Sequence, residues 1–367
     1  IYGGGMAALD GIPLNADLAF ETRYAYTLTS LQQDFSRAGE SAGLLLPLFV
    51  ILFLPGWLLL ELPGLRKQFD AWENAALAAG ISLALLPLLM LWTTLLSFPW
   101  RATGIWVAAL VTAGLLTATL LARRAEIKLS LPSTTSLVMG MVFFLACAVR
   151  LVMARDMVAP AWVDSIHHAL LGRLVAEAGT YPASYAPFFE LEPTRYHPGF
   201  HVSLAALMQL SGLDSAQALL GFGQVLNMLA VLSAYLFTTT LTRDKRAGVA
   251  AALAVGFFSP MPAYFTSWGR YTQLAGMLIL PVPLALWRRW VERKETGKTD
   301  WVYPALTAIS MGGLFLVHYR VAAFAGLLLL LDWLASLFRH GKQAVRFALI
   351  AGLPALLLAF PWLLPAL

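Results

Sequence analysis

Four short stretches hold nearly all the side chains in this chain that could do chemistry. The first is Trp162-Val163-Asp164-Ser165-Ile166-His167-His168. At spacings of three and four residues, His167 and His168 share a helix face with Asp164. A carboxylate beside imidazoles can act as a general base or bind a divalent cation. A bland alternative stands beside this: Asp164 lies near a helix start and would also serve as an N-cap. The second stretch is Arg195-Tyr196-His197-Pro198-Gly199-Phe200-His201. Pro198 holds the residue before it extended and suits the first turn of a helix, which puts His201 one turn in. This is either a polar rim at the lipid headgroups or a contact for an anionic substrate or metal. The third and fourth are Ser267-Trp268-Gly269-Arg270-Tyr271-Thr272-Gln273 and Leu316-Val317-His318-Tyr319-Arg320. A lone Arg at a helix end usually snorkels. Two Arg and a His at the face that holds the other histidines suit phosphate, whose oxygens match the guanidinium fork.

What must position these residues follows from composition. Of 367 residues, 59% are hydrophobic and 12% charged, against about 25% charged in a typical soluble domain. The mean hydropathy is +0.72. This excludes a soluble enzyme, a disordered chain and a nucleic-acid-binding domain, and calls for an all-α polytopic membrane bundle. Apolar runs long enough to be candidate spans are 43–62, 76–98, 104–122, 135–153, 216–241, 247–263, 271–287, 302–317, 321–338 and 347–366, about ten in all. Stretch 199–213 is short for a span, and counting it would break the charge alternation, so it is expected as an interfacial or re-entrant helix.

Every lysine falls in alternate loops: 64–75, 123–130, 242–246, 288–301 and 339–346. That pattern assigns these loops to the cytoplasm, and the net charge of +5 is mostly this stripe. The opposite side then receives 1–42, the 154–200 segment and the turns near 264–270 and 318–320. His167, His168, His197, His201 and His318 therefore meet Asp164, Arg270 and Arg320 at one exterior face, although they come from distant parts of the chain. Arg150 and Asp332, near span ends, are read as structural. The single cysteine, Cys147, rules out an internal disulfide. The chain starts at Ile1 and stops at Leu367 inside an apolar stretch; both ends are read as cuts, and no signal peptide opens it. Three parts are expected: an extracytoplasmic segment 1–42, a three-helix membrane block 43–130 beginning at Leu54-Pro55-Gly56, and a membrane domain 131–367 carrying the polar chemistry. There is no His-Glu-x-x-His helix, Walker A loop, Gly-x-Ser-x-Gly elbow or Rossmann fingerprint.

The order of elements over roughly 135–340 resembles the membrane glycosyltransferases of the GT-C superfamily, such as protein O-mannosyltransferases, the aminoarabinose transferase acting on lipid A, and oligosaccharyltransferases. A span (135–153) leads to a large first exterior loop that opens with Asp164. A helix through Leu170-Leu171-Gly172-Arg173 follows and ends at Gly179. The aromatic-Pro motif Arg195–His201 leads into the next helix, and Arg243-Asp244-Lys245-Arg246 fills a basic cytoplasmic turn. The resemblance implies a GT-C-like fold and a sugar donor on a polyprenyl phosphate or diphosphate. It also implies inverting transfer to a glycan, lipid or protein acceptor outside a bacterial plasma membrane, with Asp164 as base or metal carboxylate. On that basis the catalytic set is Asp164, His167 and His168. The substrate-binding set is Arg195, Tyr196, His197, His201, Arg270, His318 and Arg320, and a divalent cation would lie on Asp164, His168 and His197. Two features depart from the family. Many members place a second acidic residue where this chain has Gly269-Arg270-Tyr271, leaving Glu190 or Glu192 as substitutes, and the paired histidines are unusual. Two other readings use the same residues: a transporter or flippase of an anionic lipid or lipid-linked sugar, and a metal or haem protein.

The topology can be checked directly. In a Cys147→Ser background, a cysteine at Lys298 is expected to react with a membrane-impermeant maleimide only after the membrane is opened, and one at Ala183 in intact cells. The opposite pattern would invert the bundle.

Overall fold

The computed structural model describes residues 7–9, 12–14, 27–126, 131–188, 190, 196–292 and 301–363. The chain divides into two compact units, 1–42 and 43–367. The first holds an antiparallel hairpin, β1 (Ala7–Leu9) and β2 (Ile12–Leu14), with Ala7 opposite Leu14, and helix α1 (Leu28–Glu40).

The second unit is a helical membrane bundle. Its helices are α2 (Leu45–Leu52), α3 (Leu54–Glu61), α4 (Ala71–Leu95), α5 (Ala102–Ala122), α6 (Thr134–Ala154), α7 (Val163–Ala178), α8 (Gly199–Ser211), α9 (Ser215–Thr242) and α10 (Lys245–Leu253), then α11 (Pro260–Ala263), α12 (Phe265–Trp268), α13 (Tyr271–Ile279), α14 (Pro281–Val291), α15 (Val302–Val317) and α16 (Tyr319–Leu363). Among the described residues, six helical segments are long and apolar enough to cross a membrane, counting Tyr271–Val291 as one. The pair α2–α3, bent by 44°, would make a seventh. The bend falls at Phe53, just before Pro55, whose ring cannot sit inside a helix without displacing the backbone one turn back. Helix α4 packs on α8, α9, α13 and α15 at the centre of the unit, so the sequence boundary near 130 falls inside one compact body. It starts at a capping box, Asp70 with Glu73, and Asp70 also accepts from Tyr235 and pairs with Lys245 at 3.1 Å.

Several expected spans differ in form. Helix α16 has 45 residues, about 68 Å if straight, twice a hydrocarbon core. It folds back at Gly341, whose φ of +29° only glycine adopts cheaply. The indole of Trp333 donates to the Ala344 carbonyl at 2.9 Å. Trp287 likewise touches both Asp332 and Phe347, two residues that a straight helix would hold about 22 Å apart. The two arms correspond to the expected runs 321–338 and 347–366. The expected span 247–263 is instead the short α10 continuing into a π-helical turn, Ala254–Phe258, that ends before Pro260. Helix α15 has only 16 residues. Helix α8 is not a surface helix: nearly all of its side chains are sealed inside the bundle against α4 and α7.

The π-turn has a physical cause. Arg150, on α6, is 2% exposed, and a guanidinium inside an apolar bundle must find acceptors. Its Nε donates to Asn227 Oδ1 at 2.9 Å, and a terminal nitrogen donates to the Gly256 carbonyl at 3.1 Å. The wider turn frees that carbonyl from the helix ladder. Asn227 passes the network on to Thr266 and the Pro262 carbonyl, Thr266 donates to Gln224 at 3.0 Å, and Gln224 donates to the Tyr271 hydroxyl at 2.9 Å. Polar side chains therefore link α6 to the turn that carries Arg270.

Asn227→Leu should leave Arg150 without its side-chain oxygen acceptor and cost about 3 kcal/mol. Thermal unfolding in detergent would show a clearly lowered midpoint, and an unchanged one would remove the network from its structural role.

Candidate functional site

Helix α7 supplies the first wall. Its N-cap is Trp162, with no side-chain cap bond, so Asp164 does not cap the helix. Its carboxylate instead accepts from Arg270 Nε at 3.0 Å, across 106 residues of sequence. The pair is nearly half exposed, so on its own it stabilises the fold by at most about 1 kcal/mol; what it does is orient Arg270. The Arg270 guanidinium also lies 3.8 Å over the Trp268 ring, and no other partner engages it among the described residues. Between these two sits Gly269 at φ +70°, pressed against α7 so closely that a Cβ there would be 1.9 Å from Ser165 Oγ. The Ala161 N–H donates to the Ser267 carbonyl at 3.0 Å, which completes the clamp.

The second wall is the junction of α8 with α15. Gly199 lies so near the α15 backbone that a Cβ would be 2.8 Å from the Leu316 carbonyl carbon. This brings the His197 ring to 4.6 Å from that of His318, with Tyr196 stacked against it at 4.1 Å. His318 Nδ1 accepts from the Val321 N–H at 3.2 Å. A nitrogen that accepts carries no proton, so neutral His318 holds its proton on Nε2. Both ring nitrogens of His197 are buried without a partner.

These walls enclose a cavity of about 450 Å³. Asp164, His168, Tyr196, His197, Arg270, His318 and Arg320, gathered from four segments, line its polar part. Farther along α13 and α16, Met277, Leu280, Val321 and Phe324 line an apolar part. Burial pushes the imidazoles down, His168 and His318 to about 4 and His197 to about 3. Arg320 adds to the effect at His318 and, after the other histidines, at His197. Burial drives the Tyr196 phenol up, opposed by its hydrogen bond with Thr272. At neutral pH the three histidines are therefore uncharged hydrogen-bonding groups, and the fixed charges among the described lining residues are Arg270, Arg320 and Asp164.

Seven of the ten sequence candidates thus converge; His167 and His201 do not line the cavity, and Arg195 lies outside the described residues, as does Glu192. His167 is on the exposed side of α7 and does not line the cavity, because successive residues on a helix point about 100° apart. His201 is 1% exposed and sits behind the wall, where its Nε2 meets His168 Nδ1 at 3.1 Å. Glu190 is exposed and away from the cavity lining. Among the described residues no three His, Cys, Asp or Glu side chains are grouped to hold a metal ion. Of the three expected ligands, Asp164 pairs with Arg270 and His168 Nδ1 meets His201, while the His197 nitrogens are buried. Thr272 and the Arg150–Tyr271 network escaped sequence reading. An arginine in an apolar run was the one available signal for the network.

A family model described as a family of unknown function, DUF6541, matches residues 49–367. No curated protein and no solved structure matches the chain.

Buried neutral histidines make stability depend on pH with a definite sign. His168 and His197 have folded-state pKa values of about 4 and about 3, below the unfolded value of 6.5. Above 6.5 neither state binds these protons. Below it the unfolded state takes them up first, so stability falls as pH drops from 6.5 toward 4, by about 1.4 kcal/mol per pH unit for each proton. Melting in detergent across this range should show that fall, and the double variant His168→Gln/His197→Gln should reduce its slope, the remainder coming from His201 and His318, which burial also pushes down. A wild-type midpoint independent of pH would contradict the burial of these rings.

Proposed function

For this chain, which belongs to DUF6541, we propose glycosyl transfer at the extracytoplasmic membrane face, from a sugar carried on a polyprenyl phosphate to a hydroxyl acceptor. The observation that carries this reading is the amphiphilic shape of the cavity. Arg270, Arg320 and the His318 Nε2–H gather in its polar part, while Met277 of α13, Leu280 just after it, and Val321 and Phe324 of α16 line its apolar part. From Arg270 to Leu280 is about 15 Å along the helix. Phe324 is 65% exposed, which leaves the apolar end open on the lipid side. A ligand with an anionic head and a long hydrocarbon tail matches both ends.

In this reading the phosphate lies against Arg320 and the Arg270 fork, with the His318 Nε2–H supplying a neutral hydrogen bond. The acceptor oxygen bonds to the anomeric carbon as the bond from that carbon to the phosphate oxygen breaks. The electron pair leaves with the phosphate, and the cationic end of the cavity stabilises that charge. The acceptor hydroxyl gives its proton to a base on the cavity side of α7, where Asp164 and His168 stand one helical turn apart. Whatever its part in the proton step, Asp164 holds Arg270 in place. A flippase would use the same amphiphilic groove, so transfer and flux must be measured side by side.

In nanodiscs, polyprenyl phosphate should raise the melting midpoint, and a labelled polyprenyl-phosphate sugar should lose its sugar to an acceptor. Asp164→Asn and Arg320→Gln should each reduce transfer by about 10²- to 10³-fold. Full activity of Asp164→Asn would sink the assignment, and flux of the lipid across vesicles without sugar release would favour the flippase.

A further inference from the structure

Arg270 stands at the centre of a tight turn ahead of α13, not within the helix. Its φ of −75° and ψ of 53° are those of an inverse γ-turn. The Tyr271 N–H closes that turn on the Gly269 carbonyl at 2.8 Å. A turn with one hydrogen bond at the mouth of a cavity needs outside support to hold its side chain in one direction. The Asp164 carboxylate supplies part of it, but that contact is nearly half exposed and reaches only the guanidinium.

The backbone is supported from inside, by Tyr271. Its side chain is fully buried and does not line the cavity. The ring fills a slot on α9 at Gly223, where a Cβ would lie 2.2 Å from it. Its hydroxyl donates to the Thr266 carbonyl at 3.2 Å, tying the end of the turn to its beginning. The same hydroxyl accepts from Gln224 Nε2 at 2.9 Å, and Gln224 Oε1 accepts from the Thr266 hydroxyl at 3.0 Å. Tyr271, Thr266 and Gln224 therefore close a buried ring of hydrogen bonds, and Ser267, Trp268, Gly269 and Arg270 are the chain strung between two of its members.

These bonds all run one way. Arg150 can only donate, and its Nε–H takes the Asn227 side-chain oxygen. The Asn227 amide nitrogen donates to the Thr266 hydroxyl at 3.2 Å, Thr266 donates to Gln224, Gln224 to Tyr271, and Tyr271 to a backbone carbonyl. A buried cation at the head of such a chain sets the direction of each bond and polarises the next.

We propose that Tyr271 is the positioning residue of Arg270: its hydroxyl, held by Gln224, locks the turn that aims the guanidinium into the cavity. The consequence for ligand binding rests on the glycosyl-transfer reading, which places the phosphate on Arg270. Asp164 holds the guanidinium from outside and Tyr271 holds the backbone from within.

One measurement needs no ligand and so stands apart from any failure of the functional reading. The Arg270 guanidinium lies 3.8 Å over the Trp268 ring, so a fluorine label on that indole reports where it is. In protein carrying 5-fluorotryptophan in nanodiscs, the Trp268 ¹⁹F signal is identified by its loss in Trp268→Phe. It should move in Arg270→Gln, and Tyr271→Phe should move it toward the same position. A Trp268 signal left at the wild-type position in Tyr271→Phe would overturn the proposal. The second measurement is a double-mutant cycle on the binding of polyprenyl phosphate. Tyr271→Phe should weaken binding about tenfold in otherwise wild-type protein and less than about twofold in Arg270→Gln, where there is no guanidinium to misplace. A tyrosine that serves folding alone would weaken binding equally in both backgrounds, and that result sinks the assignment. Gln224→Met, which leaves the Tyr271 ring in its slot, should show the same dependence on Arg270, and it carries the test if Tyr271→Phe does not fold. If wild-type protein binds no polyprenyl phosphate, the phosphate reading falls by itself and the fluorine spectrum still decides what holds Arg270.

Discussion

A guanidinium closed inside an apolar bundle cannot be left without acceptors, and Arg150 imposes that condition on its surroundings. Water is excluded at 2% exposure, and no carboxylate meets it among the described residues. Neutral oxygens must therefore come to it: the Asn227 amide, and backbone carbonyls released by a π-turn. Each partner then needs its own partner, so the network runs on through Thr266 and Gln224 to Tyr271. Tyr271 follows Arg270 directly. The requirement of one buried cation thus reaches the mouth of the cavity and fixes the turn on which the Asp164–Arg270 pair depends.

The same exclusion of water gives the cavity its chemistry. Five histidines near one membrane face could have formed a cationic patch. Burial makes His168, His197 and His318 poor proton holders in the resting protein, so the histidines act through hydrogen-bond direction and not through charge. Fixed positive charge is left to Arg270 and Arg320. The cavity thus sets two guanidinium groups beside neutral imidazoles, with Met277, Leu280, Val321 and Phe324 completing the apolar part of its lining.

Close backbone contact sets these distances. Gly199 against α15 and Gly269 against α7 each occupy space that a methyl group would fill. In a bundle surrounded by hydrocarbon there is little apolar driving force between helices, so intimate packing and buried hydrogen bonds hold the elements together. Replacing either glycine would separate walls whose facing groups are within hydrogen-bond or ring contact.

Periodic and compositional features were legible from the sequence alone. Long apolar runs such as those of α4, α5, α6 and α9 stand out because a bilayer demands about 20 residues of uninterrupted apolar chain, and alternating lysine-bearing loops order them. Asp164, Tyr196, His197, Arg270, His318 and Arg320 could be placed at one face by that order, and the cavity does gather them. Tertiary structure decided the rest. Whether 199–213 lies on the surface or within the bundle depends on what surrounds it, and the reversal at Gly341 depends on contacts between residues whose local sequence reads as helix. His167 and His168 are neighbours of the same type; only the rotation of α7 against α8 puts one in the cavity and the other outside. The partner of Asp164 is 106 residues away and that of His168 is 33 away. Spacing along a chain states which residues can share a helix face, but hydrogen bonds between helices are set by packing, which no local pattern encodes.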